Sequence, residues 1–331
     1  MKSILIGALA GTIALAATPG AWAQDNNVTL QLKWVTQGQF AGYYAAQAQG
    51  YYTDEGLTVE IKPGGPDIAP EQVTAGGGAD VITTWMAPGL AARERGVPLV
   101  NIAQPFKQSG LLLTCRKDAG VESTKDFPGK TLGVWFFGNE YPFYAWMAKL
   151  GYSTEGGKDG VEVLKQAFNV DPLIQKQAAC ISTMTYNEYG QVLKAGLTPD
   201  ELKVFNYRDE GVGMLEDGLY VMEDKLKDPA FVEKMTKFVR ASMKGWEYAR
   251  AHPEETAQII VDNDLTGSMT LEDQVYQVTE VNKLTEGSTG VLDEADYQQT
   301  VDTLLSAVSP ENPAITKKPE GAFSHVVTDG L

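Results

Sequence analysis

Between Val28 and Val221, short apolar and β-branched runs alternate with longer helical ones, and this alternation confines the chain to an α/β architecture. Val28 to Trp34, Leu57 to Lys62, Ala79 to Thr84 and Val97 to Ala103 read as strands. Tyr43 to Gln49, Pro70 to Gly76 and Ala87 to Gly96 read as the helices between them. A second set follows, with strands over Gly110 to Arg116, after Pro128-Gly129, within Gly160 to Val170, over Cys180 to Met184 and over Val204 to Tyr207. Its helices are expected over Tyr141 to Leu150, Ile174 to Ala179 and Tyr186 to Ala195. Met214 to Val221 returns the chain to the first set. The βαβ rhythm predicts parallel sheets covered by helices. The last third is helical: Phe231, Met235, Phe238, Val239, Met243 and Trp246 recur at the helical period within Pro229 to Ala251. Helices are expected again over Pro253 to Asn263, Leu271 to Val281 and Asp296 to Ala307.

Residues 1–23 carry a leader pattern: Lys2, an apolar run from Ile4 to Ala17, and Ala21-Trp22-Ala23 before Gln24. The run is shorter than the ~20 residues a spanning helix needs, and no Cys near the cleavage point suggests a lipid anchor. Export to the periplasm is expected. The remaining 308 or so residues exceed what one core usually holds, so two lobes are expected. Residues 24–113 and 212–310 form the first with the C-terminal helices, and 114–211 form the second. Residues 311–331 read as a flexible tail. A net charge of −16 excludes a phosphate-backbone partner, so no nucleic acid is expected. Cys115 and Cys180 are the only cysteines; sequence leaves a disulfide and two buried thiols both open. Two Cys with His252 and His325 do not make a zinc site, so no metal is expected.

Ligands of parallel α/β sheets sit beyond the carboxyl ends of the strands. Five such loops stand out. The first holds Trp34, Gln37, Gln39, Phe40 and Tyr43; the second Trp85; the third Trp135, Phe136, Asn139 and Glu140; the fourth Tyr186, Asn187 and Glu188; the fifth Arg208, Asp209 and Glu210. Aromatics can stack a flat ligand for about 0.5–1.5 kcal/mol per ring pair. A carboxylate accepting a ring N–H adds about 1.5–3 kcal/mol. The candidates for stacking are Trp34, Tyr43, Trp85, Trp135, Phe136 and Tyr186. Those for polar contact are Gln39, Asn139, Glu140, Asn187, Glu188 and Glu210. A single Trp or Phe is more often core than ligand-facing, and Asn139 and Asn187 also suit helix caps. Arg208 is the only arginine in these loops, which argues against a sulfonate, nitrate or phosphate. Gly64-Gly65 and Gly76-Gly77-Gly78 lack nucleotide-loop spacing and read as turns, with Gly64 to Asp67 a minor candidate for ligand contact.

The segments "LQLKWVTQGQFAGYYAAQAQGYYTDEGLTVEI", "GADVITTW" and "ARERGVPLVNIAQ" resemble the substrate-binding proteins of ABC transporters in the thiamine-pyrimidine-precursor and sulfonate-like group, over residues 28 to 260 or so. "FFGNEY", "MTYNEY" and "MLEDG" resemble a narrower subgroup associated with riboflavin or thiamine-precursor uptake. The resemblance implies a type II periplasmic binding protein: two α/β lobes, two chain crossings and a ligand enclosed by hinge closure. It implies a small heterocyclic ligand, an ABC permease in the inner membrane as partner, a monomer, no cofactor and no catalytic residues. Riboflavin import is the alternative. A signal-sensing module that serves a receptor is a third expectation, which gene neighbourhood would separate.

One relative in this superfamily is an enzyme, the fungal thiamine-pyrimidine synthase, which holds pyridoxal phosphate on a lysine and consumes its own histidine. Here Thr84 stands where that lysine would be and Pro88 where the consumed histidine would be. Phe40 replaces another family histidine, and there is no cysteine cluster. The resemblance therefore implies binding rather than catalysis.

Overall fold

The computed structural model describes residues 26–306 and 313–331; the leader expected over residues 1–23 lies outside them. Ten strands form two five-stranded sheets. The first contains β1 (Asn27–Gln31), β2 (Thr58–Lys62), β3 (Val81–Thr84) and β4 (Leu99–Ala103). The second contains β5 (Leu111–Arg116), β6 (Thr131–Val134), β7 (Glu162–Lys165), β8 (Cys180–Met184) and β9 (Leu202–Asn206). The last strand, β10 (Gly218–Met222), returns to the first sheet. The strand orders are β2-β1-β3-β10-β4 and β7-β6-β8-β5-β9. Two α/β lobes result, each built on one sheet.

The sheets are mixed rather than parallel. β1, β2 and β3 run parallel, as do β6, β7 and β8. β10 is antiparallel to β3 and β4, and β5 is antiparallel to β8 and β9. The topology supplies the reason. β5 and β10 each come after a crossing from the other lobe. They enter at the carboxyl ends of the parallel strands, where the lobes face each other, and must run back down the sheet. The crossings grip each other there. Ser109 Oγ and Gly110 N donate to the Glu216 carboxylate at 2.6 and 2.9 Å. Burial raises the Glu216 pKa to about 8.

Most elements fall within two residues of the sequence reading, and Tyr141–Leu150 and Pro229–Ala251 coincide with it. One helix is displaced. It spans Asp171–Ile174, with Pro172 in its first turn, and Lys176 at φ 58° breaks the helical path within the Ile174 to Ala179 segment expected to be helical. Cys115 and Cys180 face each other across the β5–β8 pair and form a disulfide with Cα atoms 3.9 Å apart. A bridge between residues 65 apart contributes about 4 kcal/mol by restricting the unfolded chain.

The expected flexible tail is corrected for residues 313–331. Ala314, Ile315, Ala322 and Val327 are buried. Phe323 pairs with Asn101 beside β4 and packs on Tyr297 at 4.7 Å. Apolar residues spaced among Pro and Lys anchor this segment despite its polar composition. Phe143, Trp146 and Met147 are buried, as their helical spacing requires.

Candidate functional site: an aromatic cleft between the lobes

The carboxyl ends of β1, β2 and β3 face those of β6, β7 and β8 across a cleft of ≈ 360 Å³, at the low end of the ~300–1,000 Å³ of small-molecule sites. The first lobe contributes Lys33, Trp34, Gln37, Gln39, the 65–71 loop and Trp85. The second contributes Trp135, Phe137, Asn139, Phe168, Met184, Tyr186, Asn187 and Glu188. Trp34 reaches across to Phe168 with ring centres 4.3 Å apart, and Phe168 lies 6.2 Å from Trp135 at a 25° interplanar angle. The aromatic wall is thus shared by both lobes.

The polar groups are mostly acceptors and amides. Glu188 is 6% exposed. Its Oε2 accepts from Met184 N at 3.0 Å and its Oε1 from Asn187 Nδ2 at 2.9 Å. Desolvation raises its pKa to about 7 against those hydrogen bonds. Asn187 Oδ1 in turn accepts from Gln277 and Gln191. Asn139 donates to Phe136 O at 2.9 Å while its buried Oδ1 has no partner within the protein. Opposite, Gln37 donates to Gln39, and Gln39 Nε2 donates to Asp217 Oδ2 at 2.8 Å. Trp85 Nε1 reaches the same oxygen at 3.3 Å. Burial raises the Asp217 pKa to about 6, opposed by Gln39, Lys33 and Trp85, and its Oδ1 is unpartnered. Glu71 accepts from Thr84 Oγ1 at 2.5 Å. Lys33, 5.4 Å from the Trp85 ring centre, is the one cation among the residues lining the cleft.

The structure brings Trp34, Gln39, Trp85, Trp135, Asn139, Tyr186, Asn187 and Glu188 of the sequence candidates to the cleft wall. Four others lie elsewhere. Tyr43 is buried edge-on against Trp246, 5.5 Å away, because its helix packs that face on Pro229–Ala251. Phe136 is half-buried and packs against the same large hydrophobic core that holds Trp135. Glu140 turns inward, accepts from Gly138 N at 2.7 Å and has its pKa raised by burial. Glu210 comes after β9, the far edge strand beyond β5, where Lys149 Nζ holds its backbone carbonyl.

Sequence reasoning missed Phe168, Phe137, Lys33, Glu71 and Asp217. Phe168 lies just after β7, whose exit loop shows a single aromatic in a polar run. The Gly64 to Asp67 segment, a minor candidate, does reach the cleft through Gly65, Pro66 and Asp67. A Cβ on Gly64 would collide with the Leu32 carbonyl oxygen, so glycine lets this loop lie against the end of β1.

The family described as NMT1/THI5 like matches residues 37–256. The chain is similar to a riboflavin-binding protein RibY of Chloroflexus aurantiacus, 28% identical over 79% of this chain and 74% of the relative. It is similar to a formylaminopyrimidine-binding protein of Halalkalibacterium halodurans, 22% identical over 98% and 99%. Among solved structures, the periplasmic aliphatic sulphonate binding protein SsuA of Escherichia coli superposes with a TM-score of 0.67 at 12% identity, over 89% of this chain and 90% of that one. The fold is the two-lobed type II periplasmic binding fold.

Proposed function

The chain belongs to the NMT1/THI5-like family, and from that premise we propose that it is an exported solute-binding protein of an ABC importer. It captures a flat, hydrogen-bond-donating heterocycle, a thiamine pyrimidine precursor or a close analogue, and delivers it as a monomer to an inner-membrane permease. The observation that carries this reading is one cleft in which both lobes supply aromatic walls around a buried, ionisable carboxylate, Glu188. The rings of Trp34, Phe168 and Trp135 form an aromatic wall for a flat ligand, and the Glu188 carboxylate, which accepts one bond at each oxygen from Met184 N and Asn187 Nδ2, keeps lone pairs for an amino-substituted ring edge. Periplasmic placement is supported by the fold of the solved neighbours and by the leader pattern. No helix among the described residues is long and apolar enough to cross a membrane.

A sulfonate fits poorly here. Among the lining residues the single cation, Lys33, is outnumbered by Asp67, Glu71 and Glu188, and no arginine or histidine is present. The synthase reading lacks its chemistry at the expected places. Thr84 donates its hydroxyl to Glu71, and Pro88 stands against the turn at Gly138. The flavin reading keeps one observation in its favour. A second space of ≈ 590 Å³ shares Trp34, Gln37 and Asn187 with the cleft and is lined by Gln191, Gln274 and Gln277, amides suited to a hydroxylated tail.

A thermal-shift panel of aminopyrimidines, thiamine, riboflavin and an alkanesulfonate tests this, together with an absorption spectrum of the purified protein. Stabilisation by a heterocycle and not by the sulfonate is expected. The reverse would overturn the ligand class. A yellow protein would select the flavin, and a pyridoxal aldimine band near ~400 nm would select the enzyme.

A further inference from the structure

We propose that Phe137 is the residue that retains the ligand: its ring closes the mouth of the cleft, and its unfavourable backbone conformation is kept for that contact. The inference rests on the cleft being the ligand site. Phe137 lines the cleft yet is 69% exposed, so its ring gains little from packing within the protein. It sits at φ 64°, in the left-handed region that an aromatic L-residue occupies roughly tenfold less readily than glycine would. A large apolar side chain that is both strained and solvated contributes little to the fold, and such outliers concentrate where function needs them.

The surrounding turn aims the ring. Gly138 comes next at φ 96°, and a Cβ there would stand 2.8 Å from Cβ of Pro88 on the first lobe, so the turn touches the opposite lobe and tolerates only glycine. Gly138 N donates to Glu140, and Asn139 Nδ2 donates to Phe136 O, which pins the turn from both ends. Lys165 Nζ, from the same lobe, lies 4.8 Å from the ring centre of Phe137 in a cation–π contact. The ring therefore rides with the second lobe and stands at the gap between the lobes. Separation of the lobes withdraws it; their approach brings it over whatever occupies the cleft. An escaping ligand must displace it, so its weight falls on the off-rate.

Phe137→Gly and Phe137→Tyr test this by stopped-flow tryptophan fluorescence, with 4-amino-5-hydroxymethyl-2-methylpyrimidine and riboflavin as probes. Thermal melts of the ligand-free proteins run alongside. For Phe137→Gly the dissociation rate should rise by about tenfold or more with association changed less than about twofold, while the ligand-free melting point rises. Phe137→Tyr, which keeps the ring, should dissociate at close to the wild-type rate. A wild-type off-rate in Phe137→Gly, or a lowered ligand-free melting point, would overturn the proposal. Failure of the wild-type protein to bind either probe overturns the reading of the cleft, and this inference with it. That failure is recognised because it needs no variant.

Discussion

Asn139-Glu140-Tyr141 and Asn187-Glu188-Tyr189 are the same tripeptide after two neighbouring strands of one sheet, and they do different things. In the first copy Asn139 lines the cleft with an unpartnered oxygen while Glu140 folds inward onto Gly138 N. In the second, Asn187 and Glu188 both line the cleft and are tied to each other. The frame of the helix separates them. Glu140 is the N-cap before a helix that opens Tyr141-Pro142, whereas Asn187 is the N-cap and Glu188 the first helical residue. One position of offset turns a carboxylate by about 100° around a helix axis. A short motif specifies chemistry only once its place on an element is known.

The widest gap between the copies should appear in stability against pH. The Glu188 pKa is raised to about 7, so the folded state holds a proton that the unfolded chain releases near its ordinary 4.5. Its contribution is complete below about pH 4.5 and is lost as pH rises through about 7, on the order of 3 kcal/mol in all. Glu216 and Asp217, raised to about 8 and about 6, slope the same way. Glu188→Gln should therefore flatten urea-unfolding free energies between pH 5 and 8 by about one proton, and Glu140→Gln by less. Equal flattening by the two variants would erase the distinction.

Binding is the next largest effect. Above about pH 7 Glu188 is ionised, and a charged acceptor facing ligand is worth about 1.5–3 kcal/mol, so Glu188→Gln should weaken affinity for the best-bound heterocycle about 10- to 100-fold in titration calorimetry at about pH 8. Glu140→Gln, with its carboxylate turned away from the cleft, should stay within about threefold. A comparable loss in both would mean that Glu140 reaches the ligand through a rearranged loop.

The α/β class, nearly every element and the two-lobe plan are legible because hydrophobic period and turn residues are local signals. Trp34, Trp85, Trp135 and Tyr186 each stand just past the carboxyl end of a strand, a position readable from sequence, and they line the cleft. The same rule fails where topology inverts it. Asp217 precedes β10, and because β10 runs antiparallel its amino end is the one that faces the cleft region. Glu210 lies beyond β9, but the sheet order places β9 at the far edge. Tyr43 is buried beside an equally buried Tyr44, and only the packing of their helix on Trp246 decides which way Tyr43 points. Strand order and helix rotation are set by long-range contacts, which a single sequence does not display.

The smallest difference separates the two asparagines and bears on how the second copy is held. Asn187 donates to Glu188 at 2.9 Å and accepts from Gln277 at 3.2 Å and Gln191 at 2.9 Å. Gln277 also accepts from Gly38 N at 3.1 Å, so Asn187 links the first lobe, the helix Leu271–Leu284 and the cleft carboxylate. Asn139 makes a single bond to its own loop. Truncating Asn187 leaves three groups to find other partners, although the one on Gln191 faces solvent. Asn187→Ala should therefore cost about 1–2 kcal/mol, and Asn139→Ala below about 1 kcal/mol, in chemical denaturation of the ligand-free protein. Adding ligand should reverse the order of interest. Asn139 lines the cleft and its Oδ1 has no partner within the protein, so its truncation should lower affinity more than it lowers stability, while Asn187 should lose both together. Equal stability losses from the two truncations would mean that the relay through Gln277 carries no weight, and that the second copy is fixed by its helix frame alone.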